Sequence, residues 1–263
     1  MNSNFKTLLL GTSLSLIPNL LYAQCAVTDC QQLGYTSLEK CDNGLKCPFG
    51  EYWACPKAEE KAVLGACTGY AKNCKIGDIL NSDGTCTTDK INGKNPIGVV
   101  VYIGGDNCGW AIAREDLGKY QWSIYEKSVP GVKNTTYWQT AAKDYNSCGN
   151  TLEIINDGDE SIYPAAWATV NYAPSSAPET KGKWCLPSEG ILNEIYIKQL
   201  STIDMLMAKI GGANMVGGVY GFWSSTEYSK EEAWVSCLNG ACSHNDHGFK
   251  LTDSYNVRPV IEF

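Results

Sequence analysis

The chain has 263 residues and carries 28 acidic against 21 basic side chains, a formal net charge of −7. An acidic surface argues against nucleic acid, and against polyanionic sugars, as partners held by charge alone. With 44% hydrophobic residues, the length suffices for one sizeable domain and a smaller module.

Residues 1–23 read as an export signal. Lys6 supplies the positive start, 7–21 an apolar run, and Leu21-Tyr22-Ala23 a cleavage site before Gln24. A lipoprotein signal ending at Cys25 is the alternative, although Gln24 stands where a small residue would be wanted. Removing the segment takes away Lys6, its only charge, and moves the net charge from −7 to −8. Pro18 breaks the run, which is also too short for a membrane span, and no later stretch approaches spanning length. The expectation is a secreted, cell-envelope or periplasmic protein with no membrane span.

All 13 cysteines follow the signal, which in an exported chain points to disulfides. Eight fall between Cys25 and Cys86, and five (Cys108, Cys148, Cys185, Cys237, Cys242) are scattered later. Zinc competes as an explanation for the first group, but no Cys-x-x-Cys pair occurs. The odd total leaves one thiol free or intermolecular, so a disulfide-linked oligomer is an open expectation. Residues 24–75 read as a loop-rich, Cys-rich module with one short helix at 57–65, stabilised by cross-links. The main domain is read as 76–263.

From residue 76 the pattern is β. Residues 76–80 form a strand entering a turn at Asp83-Gly84, 97–103 are the strongest β-run, and 109–113 return as its partner. Helices follow: 135–145 capped by Asn134, 165–172 with Pro164 in its first turn, and one capped by Ser188. That last helix presents Ile191, Leu192, Ile195, Tyr196 and Leu200 on one face. Ser201 and Asp204 then start another, with Ile203, Leu206, Met207 and Ile210 inward and Gly211 as its end. Four strands close the chain, at about 220–228, 233–238, 247–251 and 256–262. Strands at both ends around central helices predict an α+β domain whose last strand pairs with its first.

Three motifs stand out: Trp184-Cys185-Leu186-Pro187-Ser188, Phe222-Trp223-Ser224-Ser225-Thr226-Glu227, and Asn256-Val257-Arg258-Pro259-Val260. Trp184 and Trp223 read as core anchors. Arg258 lies in an apolar strand, so its guanidinium needs a carboxylate or carbonyl partner.

With Gly98-Val99-Val100 and Gly109-Trp110-Ala111, these motifs make the chain resemble a bacterial family of unknown function. That family is the C-terminal domain of a collagen-like adhesin, related to the Fibrobacter-type major paralogous domain. The resemblance covers about 76–263; Cys185 departs from it, standing where Arg is common. It implies a C-type-lectin-like fold with N- and C-terminal strands together, and extracellular adhesion or ligand binding without catalysis. Neither Glu-Pro-Asn nor Trp-Asn-Asp occurs, so a calcium clamp on sugar has no support.

Candidate chemistry is sparse. Asp157-Gly158-Asp159-Glu160 could offer oxygens to calcium, but reads first as a solvated turn. His244 and His247 with Cys242 could bind metal, against a polar hairpin tip with Cys237 joined to Cys242. No nucleophile, phosphate-loop or dinucleotide motif appears. The reading is therefore an exported, non-enzymatic surface binding protein without cofactor or metal, its partner an extracellular glycan or protein. The expected contacts are Ser224, Ser225, Thr226, Glu227, His244, Asn245 and Asp246, on loops of the C-terminal β-region. A disulfide-linked envelope scaffold is the alternative. A third reading is an enzyme like the formylglycine-generating enzymes, which share the implied fold and use a cysteine pair, here Cys237 and Cys242.

Overall fold

The structure, a computed structural model, describes residues 70–104, 108–215, 221–238 and 245–263. All belong to one compact unit, Ala62–Phe263. The expected signal, the helix at 57–65, the six cysteines before residue 70, Cys242 and His244 lie outside the described residues.

Two sheets organise the domain. In the first, β1 (Ile79–Asn81) turns through Gly84, at a left-handed φ of 75°, into β2 (Cys86–Thr87), as Asp83-Gly84 predicts. β3 (Pro96–Ile103) lies between β1 and β4 (Gly109–Ala113), antiparallel to both. Its unbroken apolar run reflects burial on both faces. Val99, Val101 and Ile112 meet helices on one side, while Val100, Ala111 and Trp184 pack together on the other. Residues 70–75, read from sequence as part of the Cys-rich module, also pack here: Ala71 is buried and Tyr70 Oη donates to Ser82 O at 2.8 Å.

Between the sheets' strands run the helices. α1 (Trp138–Ala141) is a single turn, not the expected 135–145, and Asn134 donates to Ser128 Oγ instead of capping it. α2 (Ser147–Asp157) was not expected. α3 (Pro164–Asn171) starts on its proline as expected. α4 (Glu189–Glu194) runs through a π-helical turn, Ile195–Gln199, into α5 (Leu200–Ile210). The separate start expected at Ser201 is therefore absent, and Asp204 accepts from Met215 N at 2.6 Å. Ile203, Leu206, Met207 and Ile210 do face the core, and Gly211, at φ 70°, follows the last turn.

The second sheet has the order β5-β10-β7-β8-β9. Its strands are β5 (Lys119–Tyr120), β7 (Phe222–Glu227), β8 (Glu232–Ser236), β9 (Asp246–Phe249) and β10 (Tyr255–Asn256). The first sheet, β2-β1-β3-β4-β11-β6, is completed by β6 (Trp184–Cys185) and β11 (Val260–Glu262). The expected single strand 256–262 is thus two. β10 runs parallel to β7, and the chain then crosses to the other sheet at Val257-Arg258-Pro259. Proline, with no N–H for a ladder, suits that crossover. The N- and C-terminal strands do share a sheet, but β11 pairs with β4 and β6 and not with the first strand.

Two disulfides lie wholly within the described residues. Cys74–Cys86 ties the start of the domain to β2, and Cys148–Cys185 joins α2 to β6. The result is a mixed helix-and-sheet domain, as the α+β reading predicts.

Candidate functional site

Ser224, Ser225, Thr226 and Glu227 were expected on a binding loop. They lie instead within β7, and each is 0% exposed. The physical reason is a break in pairing. β7 matches β8 at Phe222–Ser236 and Trp223–Val235, then shifts before Glu227–Ala233. Over that bulge the backbone bonds elsewhere: Ser225 N donates to Pro187 O (2.8 Å), and Ser224 O accepts Trp122 Nε1 (2.9 Å).

The hydroxyls continue this inward network. Thr226 Oγ1 donates to Asp144 Oδ2 (2.7 Å) and accepts Glu189 N (3.0 Å), the first N–H of α4. Ser188 occupies the cap position but does not cap with its side chain; its hydroxyl pairs with Ser147 Oγ at 3.1 Å. Asn150 Nδ2 also donates to Asp144 Oδ2 (2.8 Å), and Ser236 Oγ donates to Glu189 Oε1 (2.9 Å). Burial drives the Glu189 carboxyl up to about 8, with nearby Asp144 adding to the rise and the Ser236 bond opposing it. Two of the three motifs are therefore bonded to one another in the interior.

Glu227 ends the bulge in an ion pair. Lys250 Nζ stands 2.5 Å from Glu227 Oε1, both side chains fully buried, and donates to the carbonyls of Lys127, Ser229 and Lys230. It sits 4.6 Å from the Trp122 ring centroid. Desolvation raises the carboxyl and lowers the ammonium, and each partner opposes the other's shift.

Arg258 finds carbonyls, one of the two partner types expected. Nε donates to Ala113 O (2.7 Å), and Nη2 donates to Arg114 O (3.0 Å) and Ala213 O (2.8 Å). Burial lowers its pKa to about 10, so it stays charged at neutral pH.

Of the expected contacts, Asn245 and Asp246 remain at a partly exposed position, at the start of β9. β9 is an edge strand, and its backbone is covered by its own neighbours. Asp253 Oδ2 accepts Phe249 N (2.8 Å), Asp253 N donates to Phe249 O (3.0 Å), and Asp246 Oδ1 accepts His247 N (2.9 Å). Such cover blunts pairing with a foreign strand. On one face His247 stacks on Tyr228, with centroids 3.9 Å apart, and its Nδ1 lies 2.9 Å from Glu232 Oε1. On the other, Gly248 backs the ring of Tyr255.

No three His, Cys, Asp or Glu side chains converge for a metal among the described residues. Asp157 is engaged by Lys127 and Tyr163, and Asp159 by Ser161. Cys237 is buried and disulfide-bonded, so it offers no thiolate. Sequence reasoning missed Lys250, Asp144 and Glu189. The available signal for Lys250 was its place in phase with Gly248 on a strand with one face inward.

No protein-family model matches the chain, and no curated protein matches it. Among solved structures, a fimbrial protein from Bacteroides ovatus is similar, with TM-score 0.52 and 17% identity. The match covers 72% of this chain and 49% of that one, so this chain spans about half the length of the fimbrial protein. The likeness is one of fold.

Proposed function

We propose that the chain is an exported, non-enzymatic surface protein that binds an extracellular glycan or protein. Its contacts would lie at the β9–β10 end of the second sheet, around Asn245 and Asp246. The fold likeness to a fimbrial protein is the observation that carries this reading, since fimbrial proteins act outside the cell. The Cys74–Cys86 and Cys148–Cys185 disulfides support an oxidising compartment. Among the described residues no helix is long and apolar enough to cross a membrane. Terminal strands sharing one sheet support a C-type-lectin-like variant and the resemblance to the collagen-like adhesin domain.

The buried Ser224–Glu227 segment would act here as support. It fixes β7, and β7 fixes its neighbours β10 and β8. The test is a binding screen of the secreted protein against glycans and matrix proteins, with and without calcium. Saturable binding weakened by Asn245→Ala and Asp246→Ala supports the reading; binding indifferent to both removes these residues from it.

An envelope scaffold is the second reading, favoured by the odd cysteine count. It predicts a covalent dimer on non-reducing gels, and a protein that runs as monomer there contradicts it.

A further inference from the structure

The two bridges that lie wholly within the described residues differ in setting. Cys148 and Cys185 are each 3% exposed and join α2 to β6 inside the core. The backbone beside them is tied as well, since Thr151 Oγ1 accepts Leu186 N (3.0 Å) and Ser147 Oγ accepts Ser188 N (2.8 Å). A thiol reaches that bridge only when the core opens.

Cys74 and Cys86 are half-buried, at the margin of the cluster on the other face of the first sheet. β2, which carries Cys86, is the edge strand of that sheet. It is two residues long and pairs with β1 at Ile79–Thr87 and Leu80–Cys86. The segment that carries Cys74 is fastened at its ends. Before it, Ala71 is buried and Tyr70 Oη donates to Ser82 O (2.8 Å); after it, Lys75 N donates to Asp78 Oδ2 (2.8 Å). Between these points residues 72–74 donate no backbone hydrogen bond to the sheet among the described residues. Their link to β2 is the bridge itself. Lys72, Asn73 and Lys75 are exposed, so a solute reaches this stretch without any opening of the core. The two lysines also flank Cys74 in the chain. Positive neighbours favour a thiolate, and a favoured thiolate leaves faster in exchange.

We propose that Cys74–Cys86 is a thiol–disulfide exchange site, a clasp that an external thiol opens while the core and the Cys148–Cys185 bridge stay intact. An incoming thiolate bonds one sulfur as the bond between Cys74 and Cys86 breaks, and the other sulfur leaves as thiolate, Cys74 being the better leaving group. A second thiolate attacks the added sulfur and releases the remaining cysteine. Two external thiols are thereby oxidised to one disulfide, and the bridge is reduced to two thiols. The open state frees residues 72–74 from the edge of the first sheet.

The test uses the full secreted protein, reduced glutathione as the thiol, and iodoacetamide to trap free cysteines for peptide mapping. Cys74 and Cys86 are alkylated at least about tenfold faster than Cys148 and Cys185, at glutathione concentrations that leave the circular dichroism spectrum unchanged. Trypsin then cuts after Lys72 or Lys75 at least about tenfold faster than in the untreated protein, because cleavage needs a locally opened chain. Cys74→Ser combined with Cys86→Ser keeps the native spectrum and shows the faster cleavage without glutathione. Equal alkylation rates at the two bridges, or alkylation of Cys74 and Cys86 only once the spectrum is lost, overturn the exchange site. Cleavage at Lys72 and Lys75 that neither reduction nor the double substitution accelerates overturns the clasp.

Discussion

Lys250 and Glu227 form a fully buried ion pair, Nζ to Oε1 at 2.5 Å, between the segment after β9 and the end of β7. Burying two charges is costly, and the pair is tolerated because Lys250 also meets three carbonyls and Glu227 accepts Val129 N at 3.0 Å. Removing one partner strands the other. Glu227→Leu or Lys250→Met alone should destabilise the domain by about 3–5 kcal/mol. The double variant should recover a large part of that loss, and urea unfolding of the three proteins gives the coupling directly.

Arg258 works at the sheet crossover in a different way. Its three carbonyl partners are Ala113 O at the end of β4, Arg114 O just after it, which also accepts Ala213 N at 3.0 Å, and Ala213 O. Arg258→Met leaves the buried Ala113 O without its donor, while Arg114 O keeps its bond from Ala213 N, and should cost about 1.5–3 kcal/mol, the contribution of a hydrogen bond to a charged group. Arg258→Lys should recover only part, since a single ammonium cannot span the same fork. Chemical denaturation with tryptophan fluorescence measures both.

The Cys148–Cys185 bridge closes a loop with a sequence separation of 37. Loop-closure entropy assigns such a cross-link about 3–4 kcal/mol. Replacing both cysteines by alanine should lower stability by that order, and added reductant should then shift the variant's melting temperature less than the native protein's.

Glu189 sets a pH dependence. Its folded carboxyl titrates at about 8, against about 4.5 when unfolded. Between these values the folded state holds a proton that the unfolded state has lost. Stability should therefore fall as pH rises from about 4.5 to 8, and level off above that window. Glu189→Gln should flatten this slope relative to the native protein. Unfolding free energies at several pH values, compared between the two, isolate the contribution.

Much of the first sheet was legible because its chemistry is local. The 97–103 run is apolar on every residue, and Asp83-Gly84 announces its turn. α2 was not, because Cys148, Gly149 and Asn150 are weak helix formers. Its N-terminus is held by tertiary bonds, with Ser147 Oγ accepting Ser188 N at 2.8 Å and Asn150 donating to Asp144. Ser224 to Glu227 fall in the strand expected at about 220–228, but were read as exposed contacts for a similar reason. Four polar residues in a row signal exposure unless their partners are known, and Asp144, Glu189 and Lys250 are 23 or more positions away. The crossover at Pro259 was not read, because 256–262 passed as one apolar strand, although a proline cannot complete a central strand. Arg258's need for an oxygen partner was readable from its apolar neighbours, whereas the partners' identity depended on the two-sheet packing.

The most direct measurement is saturable binding of the secreted protein to a panel of neutral glycans and matrix proteins, with folding verified by circular dichroism. Binding to at least one ligand, weakened by substitutions at Asn245 and Asp246, is the expected result. A folded protein that binds no member of the panel and forms disulfide-linked multimers would contradict it.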